Sequence, residues 1–100
     1  MAVGLILEFE GVGLEEYKAV NAALGIDIAT GEGEWPAGLQ FHAGGAKPGG
    51  WTVMEVWDSK EAQQRFMDGR LGRALQEGGI TERPSRVEWI ELAAHRSAGS

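Results

Sequence analysis

The stretch WTVMEVWDSKEAQQRF, residues 51–66, brings a strand, a helix cap and the first turns of a helix together. Its first seven residues are rich in β-branched and aromatic side chains and predict a strand. Asp58 or Ser59 can cap the helix that follows, where Ala62 and Phe66 share one face. The stretch therefore predicts a strand that leads directly into a helix.

Two elements precede this unit near the N-terminus. Val3–Phe9 predicts a first strand, and Leu14–Leu24 changes to a helical period. One face of that helix carries Tyr17, Val20, Asn21 and Leu24. Gly25 is typical of a helix C-terminus.

The middle of the chain predicts a loop and a hairpin. Residues 30–38 are rich in glycine and charge and predict a loop, and Leu39–Ala43 predicts the second strand. Gly44–Gly50 predicts a turn that leads into the third strand, with Pro48 and Gly49 suited to the central positions of a type II turn.

The C-terminal part predicts the second helix and the last strand. The helix from Ser59 is expected to break at Gly69, to continue over Arg70–Glu77 and to end at Gly78. Val87–Leu92 predicts a last strand, and residues 94–100 a flexible tail.

The resulting order β-α-β-β-α-β is that of a ferredoxin-like α+β fold with an antiparallel sheet. A chain of 100 residues has room for one core, so we expect a single domain over residues 1–93.

Composition excludes several classes of protein. Nine basic against fifteen acidic residues give a net charge of −6, which argues against nucleic acid binding. The absence of cysteine excludes disulfides and Cys-ligated zinc. The two histidines lack metal-ligand spacing, so we expect no metal. No apolar segment is long enough to cross a membrane, and a cytoplasmic location is expected.

The apolar pattern of the strands predicts a homodimer. Right-handed crossovers place both helices on one face of such a sheet and leave the other face bare. Both faces carry apolar residues; Met54 and Val56, for example, point away from Val53 and Trp57. Because soluble proteins rarely expose a large apolar patch, a second copy is expected to cover the bare face.

The motifs WTVMEVWDSKEAQQRF and RLGRAL, within residues 51–75, resemble the dimeric α+β barrel proteins. The similarity is greatest to the antibiotic-biosynthesis-monooxygenase-like branch. It implies a homodimer with a cavity between helices and sheet in each subunit. Relatives include cofactor-free oxygenases that act on aromatic phenols, haem-degrading enzymes, and isomerases or cyclases, so the resemblance does not fix the activity.

The haem-degrading type is disfavoured by three departures from its pattern. Phe66 stands where those proteins carry Trp, and Gln76 stands near the position of their haem-ligating His. The first strand lacks their Asn. We therefore expect no cofactor.

Three residues are candidates for catalysis. His42 on the second strand can act as a general base near neutral pH, or can form a structural hydrogen bond to a loop near the open end of the barrel. Asn21 can hold a substrate oxygen, or can cap a backbone carbonyl. Glu55 faces the same side as Val53 and is either a functional carboxylate or the partner of Arg65, Arg70 or Arg73.

Aromatic side chains are candidates for substrate binding. Tryptophan offers a large face for stacking on a flat ligand. The predicted binding residues are Tyr17, Trp51, Trp57, Phe66 and Trp89. At least one of these three tryptophans is expected to be core instead, and Trp35, in the glycine-rich loop, is either a lid or a subunit contact.

The sequence thus predicts a small-molecule enzyme similar to cofactor-independent monooxygenases, acting on an aromatic or polyketide-like compound. A cyclase or isomerase that uses the same base is one alternative. A non-catalytic dimer that binds a hydrophobic metabolite or a partner protein is another, and whether the protein is an enzyme stays open.

Overall fold

The structure is a computed structural model and describes residues 2–94. It has the strands and helices β1 (Val3–Glu10), α1 (Leu14–Leu24), β2 (Ile26–Asp27), β3 (Glu32–Gly33), β4 (Leu39–Lys47), β5 (Gly50–Trp57), α2 (Lys60–Phe66), α3 (Gly72–Glu77) and β6 (Arg86–Glu91). A π-helical turn, Met67–Leu71, joins α2 to α3. The expected tail, residues 94–100, lies outside the described residues except for its first residue.

Four strands form one antiparallel sheet in the order β4-β5-β1-β6. This order and the two helical segments confirm the ferredoxin-like α+β fold. A second sheet, the short hairpin β2–β3, was not predicted. It follows α1, where Gly25 reverses the chain with φ 79° and accepts a backbone hydrogen bond from Glu34. No helix within residues 2–94 is long and apolar enough to cross a membrane.

Two predicted boundaries are wrong. The turn after the second strand is much shorter than Gly44–Gly50, because β4 continues through Lys47 and pairs with β5 up to Gly50. Gly49, with φ 78°, supports the tight reversal that was expected of Pro48-Gly49. The expected break at Gly69 is also absent, since the helix passes through it as the π-helical turn.

The core lies between the helices and one face of the sheet. Along β1 and β5 the buried side chains alternate, as the period of two requires: Leu5, Leu7, Phe9, Trp51, Val53 and Trp57. A smaller cluster between α1 and α3 contains Val20, Leu24 and Ala74. Ser59 caps α2 as predicted, accepting a hydrogen bond from the Ala62 N–H.

The other face of the sheet is not covered by any part of residues 2–94. Paired residues place Phe41, Val56, Gly4 and Ile90 in one row across the four strands. Phe41 is 44% exposed, Ile90 38%, and Met54 in the next row 49%. We call these three residues with Val56 the apolar patch.

Candidate functional site

A cavity of about 70 Å³ lies between α1, the helical segment α2–α3 and the sheet. Its lining is mostly apolar. The polar side chains on it include Tyr17, Asn21, His42, Trp51 and Glu55. The structure therefore brings the three predicted catalytic residues to one cavity, together with Tyr17, Trp51 and Phe66 of the predicted binding residues.

His42 and Glu55 are directly opposite each other on β4 and β5. Nδ1 of His42 lies 2.7 Å from Oε2 of Glu55, and both side chains are largely buried. The other carboxylate oxygen of Glu55 accepts a hydrogen bond from Nε1 of Trp57 at 2.9 Å. Glu55 is thus the partner of a histidine and a tryptophan. Of the arginines weighed for it, Arg70 donates to the backbone carbonyls of Leu24 and Glu34.

Tyr17 continues this arrangement from α1. Its Oη atom lies 2.5 Å from Nε2 of His42. A carboxylate only accepts hydrogen bonds, so Nδ1 of His42 carries the proton given to Glu55, and Nε2 is left to accept from Tyr17. We call the connected side chains Trp57, Glu55, His42 and Tyr17 the polar chain.

Burial raises the pKa of Tyr17 above its ordinary value of 10.0, and the negative charge of Glu55 adds to the rise. The Asn21 amide acts in the opposite direction. Tyr17 therefore remains protonated in the folded protein at neutral pH and serves as a hydrogen-bond donor to His42.

Asn21 is 4% exposed and lines the cavity one helical turn after Tyr17. Its amide nitrogen donates to the backbone carbonyl of Tyr17 at 2.8 Å. This is the capping role considered from the sequence, and it fixes the turn of α1 that carries Tyr17.

Trp51 lies beside Tyr17, with the two ring centres 4.8 Å apart. Gly44 on β4 makes this approach possible: a Cβ atom there would lie 2.8 Å from Oη of Tyr17 and 3.1 Å from Nε1 of Trp51. The Trp51 indole nitrogen is buried and has no hydrogen-bond acceptor within residues 2–94.

The remaining predicted binding residues lie differently. Trp57 is fully buried, with its ring centre 5.8 Å from that of Phe66, and it donates to Glu55. Trp89 is half-buried on β6, with Nζ of Lys60 5.4 Å from its ring centre. Neither tryptophan lines the cavity, because both lie nearer the other end of the helix-facing side of the sheet.

Trp35 lies at the mouth of the cavity. Its ring centre is 5.3 Å from that of His42, and its indole donates to the backbone carbonyl of Gly31 at 2.8 Å. Trp35, Leu39 and His42 line both the buried cavity and an outer cleft of about 300 Å³. Trp35 is 37% exposed and forms part of the wall between the two spaces.

Over residues 2–94, no three His, Asp or Glu side chains gather in a way that could hold a metal ion.

Comparison with known proteins shows the fold of the chain. No protein-family model matches the chain, and no curated protein matches it. Solved structures do match. A provisionally assigned antibiotic biosynthesis monooxygenase from Chloroflexus aurantiacus J-10-fl is 17% identical, with a TM-score of 0.63 over 96% of this chain and 98% of that one.

The chain has the fold of the antibiotic-biosynthesis-monooxygenase-like proteins. SnoaB, a cofactor-independent oxygenase from Streptomyces nogalater, matches with a TM-score of 0.53 and 17% identity over 99% of this chain and 98% of its own. Rv0793 from Mycobacterium tuberculosis matches with a TM-score of 0.53 and 19% identity over 98% of this chain and 99% of its own. These likenesses confirm the predicted fold, and at such identities the activity has to be argued from the site itself.

Proposed function

We propose that the protein is a small-molecule enzyme of the cofactor-independent monooxygenase-like kind, acting on an aromatic or polyketide-like compound. The observation that carries this proposal is the polar chain, which ends at Tyr17 on the wall of an apolar cavity. Glu55 accepts the Nδ1 proton of His42 and so orients the ring with Nε2 toward Tyr17, as a carboxylate does for a catalytic imidazole.

In this proposal His42 is the general base, and Tyr17 connects it to the substrate. A phenolic or enolic O–H of the substrate gives its proton to Oη of Tyr17 while the Tyr17 proton moves to Nε2 of His42. The raised pKa of Tyr17 suits this relay, because a stable tyrosinate does not accumulate. Asn21 holds the helical turn that positions Tyr17.

The deprotonated substrate then transfers one electron to O₂, and the resulting radical pair combines to form a C–O bond. The peroxide breaks its O–O bond and loses water. For a phenol with a free para C–H, the product is a quinone: one oxygen atom of O₂ enters the ring and the other leaves as water. The apolar cavity supports such chemistry, since exclusion of water protects the intermediates from side reactions.

The size of the cavity adds a requirement. An engineered apolar cavity of about 150 Å³ binds one benzene ring, and the cavity here measures about 70 Å³. Binding of an aromatic ligand therefore requires some of the side chains that line the cavity to move. Trp35 is the side chain whose movement would join the cavity to the outer cleft.

The proposal is tested by incubating the protein with a panel of phenols and enolisable aromatic ketones under oxygen, with oxygen uptake and product mass as the measurements. General base catalysis contributes about 10²–10⁴-fold, so His42→Gln should lower kcat by at least about a hundredfold. Tyr17→Phe should also lower kcat. Glu61→Gln, on the exposed face of α2, is the control. Turnover that survives in His42→Gln would contradict the role of His42.

One observation favours a second function, the binding of a hydrophobic metabolite without reaction. Tyr17, His42 and Glu55 already satisfy one another within the protein, which is also what a stable binding pocket needs. Compounds that bind in the panel but show neither oxygen uptake nor a changed mass would support this second function. A changed mass without oxygen uptake would instead indicate a cyclase or isomerase that uses the same base.

We further propose that the protein is a homodimer in which the apolar patch packs against a second copy. The patch takes its side chains from β4, β5 and β6, and burial of its exposed aromatic and aliphatic side chains is favourable. Beyond it, Glu8 bonds Lys47 at 2.8 Å and Arg86 at 2.9 Å, so the other half of this face is charged but internally paired. Sedimentation equilibrium of the wild-type protein checks the assembly, and a monomeric mass would contradict it.

A further inference from the structure

The indole of Trp51 is a buried hydrogen-bond donor without a partner. Trp51 is 6% exposed, and its Nε1 finds no acceptor within residues 2–94. By contrast, Nε1 of Trp57 donates to Glu55 and Nε1 of Trp35 donates to a backbone carbonyl. A buried donor that lacks a partner lowers stability, so native proteins seldom keep one without a use.

Trp51 is placed where a ligand would meet it. It lines the cavity beside Tyr17, and Nε1 of Trp51 and Oη of Tyr17 both approach Gly44 closely because that residue has no side chain. The proton of Tyr17 is committed to His42, which lies 2.5 Å away. In this part of the cavity, Nε1 of Trp51 is therefore a donor that has no acceptor among the described residues.

We infer that Nε1 of Trp51 binds an acceptor oxygen of the ligand, and that the cavity selects aromatic compounds carrying a carbonyl or phenolate oxygen. This inference rests on the proposed function, because it takes the cavity as the substrate site. It also assigns Trp51 a role in the reaction. A hydrogen bond strengthens when its acceptor becomes charged, so Trp51 stabilises the oxygen on which charge remains after deprotonation.

This role differs from stacking, which the ring face of Trp51 would provide to any flat compound. A donor at the ring edge discriminates between two ligands of equal shape, of which only one carries an oxygen. The probes are therefore 1-indanone and indane, which share a bicyclic skeleton and differ in the ketone.

The test is a titration of the full chain with each probe, followed by the indole N–H signals in ¹H–¹⁵N NMR spectra. The assigned Nε1 signal of Trp51 should move downfield with 1-indanone and much less with indane. Trp51→Phe should weaken 1-indanone binding about tenfold, which corresponds to about 1.4 kcal/mol and lies within the range of one hydrogen bond. The affinity for indane should change less than about threefold. By the same conversion, this corresponds to a free-energy difference below about 1 kcal/mol.

Several outcomes would overturn the inference. One is an equal loss of affinity for both probes in Trp51→Phe. The others are an equal shift of the Trp51 Nε1 signal with both probes, and a failure of both probes to bind the wild-type protein. The wild-type spectra decide the question even if the variant does not fold. Selective binding of 1-indanone without turnover of any phenol in the panel would uphold the inference and contradict the proposed oxygenase activity, so the two failures are distinguishable.

Discussion

Oη of Tyr17 lies 2.5 Å from Nε2 of His42, although the two residues are 25 positions apart and belong to a helix and a strand. The contact connects α1 to a histidine whose other ring nitrogen is bonded to Glu55. Tyr17, His42 and Glu55 all line the cavity, so a ligand bound there would lie beside three members of the polar chain.

The titration of Tyr17 should reflect its burial. It is the single tyrosine of the chain, so tyrosinate absorbance reports this residue alone. We expect a pKa above 10.0 in the folded protein, because burial and then the charge of Glu55 disfavour the anion. Glu55→Gln should lower this pKa but leave it raised, since burial is the larger cause. An ordinary pKa in the folded wild-type protein would contradict the geometry.

The same shift makes stability depend on alkaline pH. An unfolded chain ionises Tyr17 near 10.0, whereas the folded protein resists ionisation. The free energy of unfolding should therefore be unaffected by Tyr17 below that value and should fall as pH rises through and beyond it. Urea titrations across this range check the sign, and Tyr17→Phe should flatten the dependence.

Gly44→Ala should displace Tyr17. The added methyl group would lie 2.8 Å from both Cζ and Oη of Tyr17, closer than a stable contact allows. We expect a loss of about 1–3 kcal/mol in the free energy of unfolding, as for other overpacked sites, together with a lower pKa of Tyr17. Gly45→Ala is the matched control, because its methyl group would meet nothing within 4 Å. Similar losses in the two variants would show that β4, rather than the Tyr17 contact, is sensitive.

Trp35→Ala should open the cavity to the outer cleft. The side chain lines both spaces and is 37% exposed, so its removal should leave the core intact. We expect 2-naphthol to associate several times faster than with the wild-type protein, measured by stopped-flow fluorescence of the ligand. Trp35→Phe, which keeps a ring, should fall between the two. Equal association rates in all three proteins would exclude Trp35 as the barrier.

Met54→Lys should dissociate the proposed homodimer. Met54 is 49% exposed at the middle of the uncovered face, and a buried ammonium without a partner is costly. The dimer dissociation constant should rise by at least about tenfold, equivalent to about 1.4 kcal/mol, in sedimentation equilibrium. Glu61→Lys on the exposed face of α2 introduces the same side chain and should leave the assembly unchanged. A dimer that survives Met54→Lys would move the interface elsewhere.

The sequence by itself determined the order of the main elements, because each is a local pattern. The alternation in Trp51–Trp57 predicted which side chains share a face of the sheet, although not which face meets the helices, and the glycines after α1 and after α3 predicted where those helices end. Gly44 and Gly45 were misassigned to a turn for a local reason as well: glycine favours turns, and only the ladder with β5 keeps them in a strand. Gly69 was misassigned as a break, although its helix continues as a π-helical turn.

The tertiary structure decided the site. The side of the sheet that His42 occupies depends on strand register, which a one-residue slip would reverse. The bulge between Leu39 and Phe41 sets that register and puts His42 opposite Glu55. The approach of α1 to β4 then places Tyr17 against His42, and Nε1 of Trp51 has no acceptor among residues 2–94. These are distances between segments far apart in sequence, which no local pattern of residues specifies.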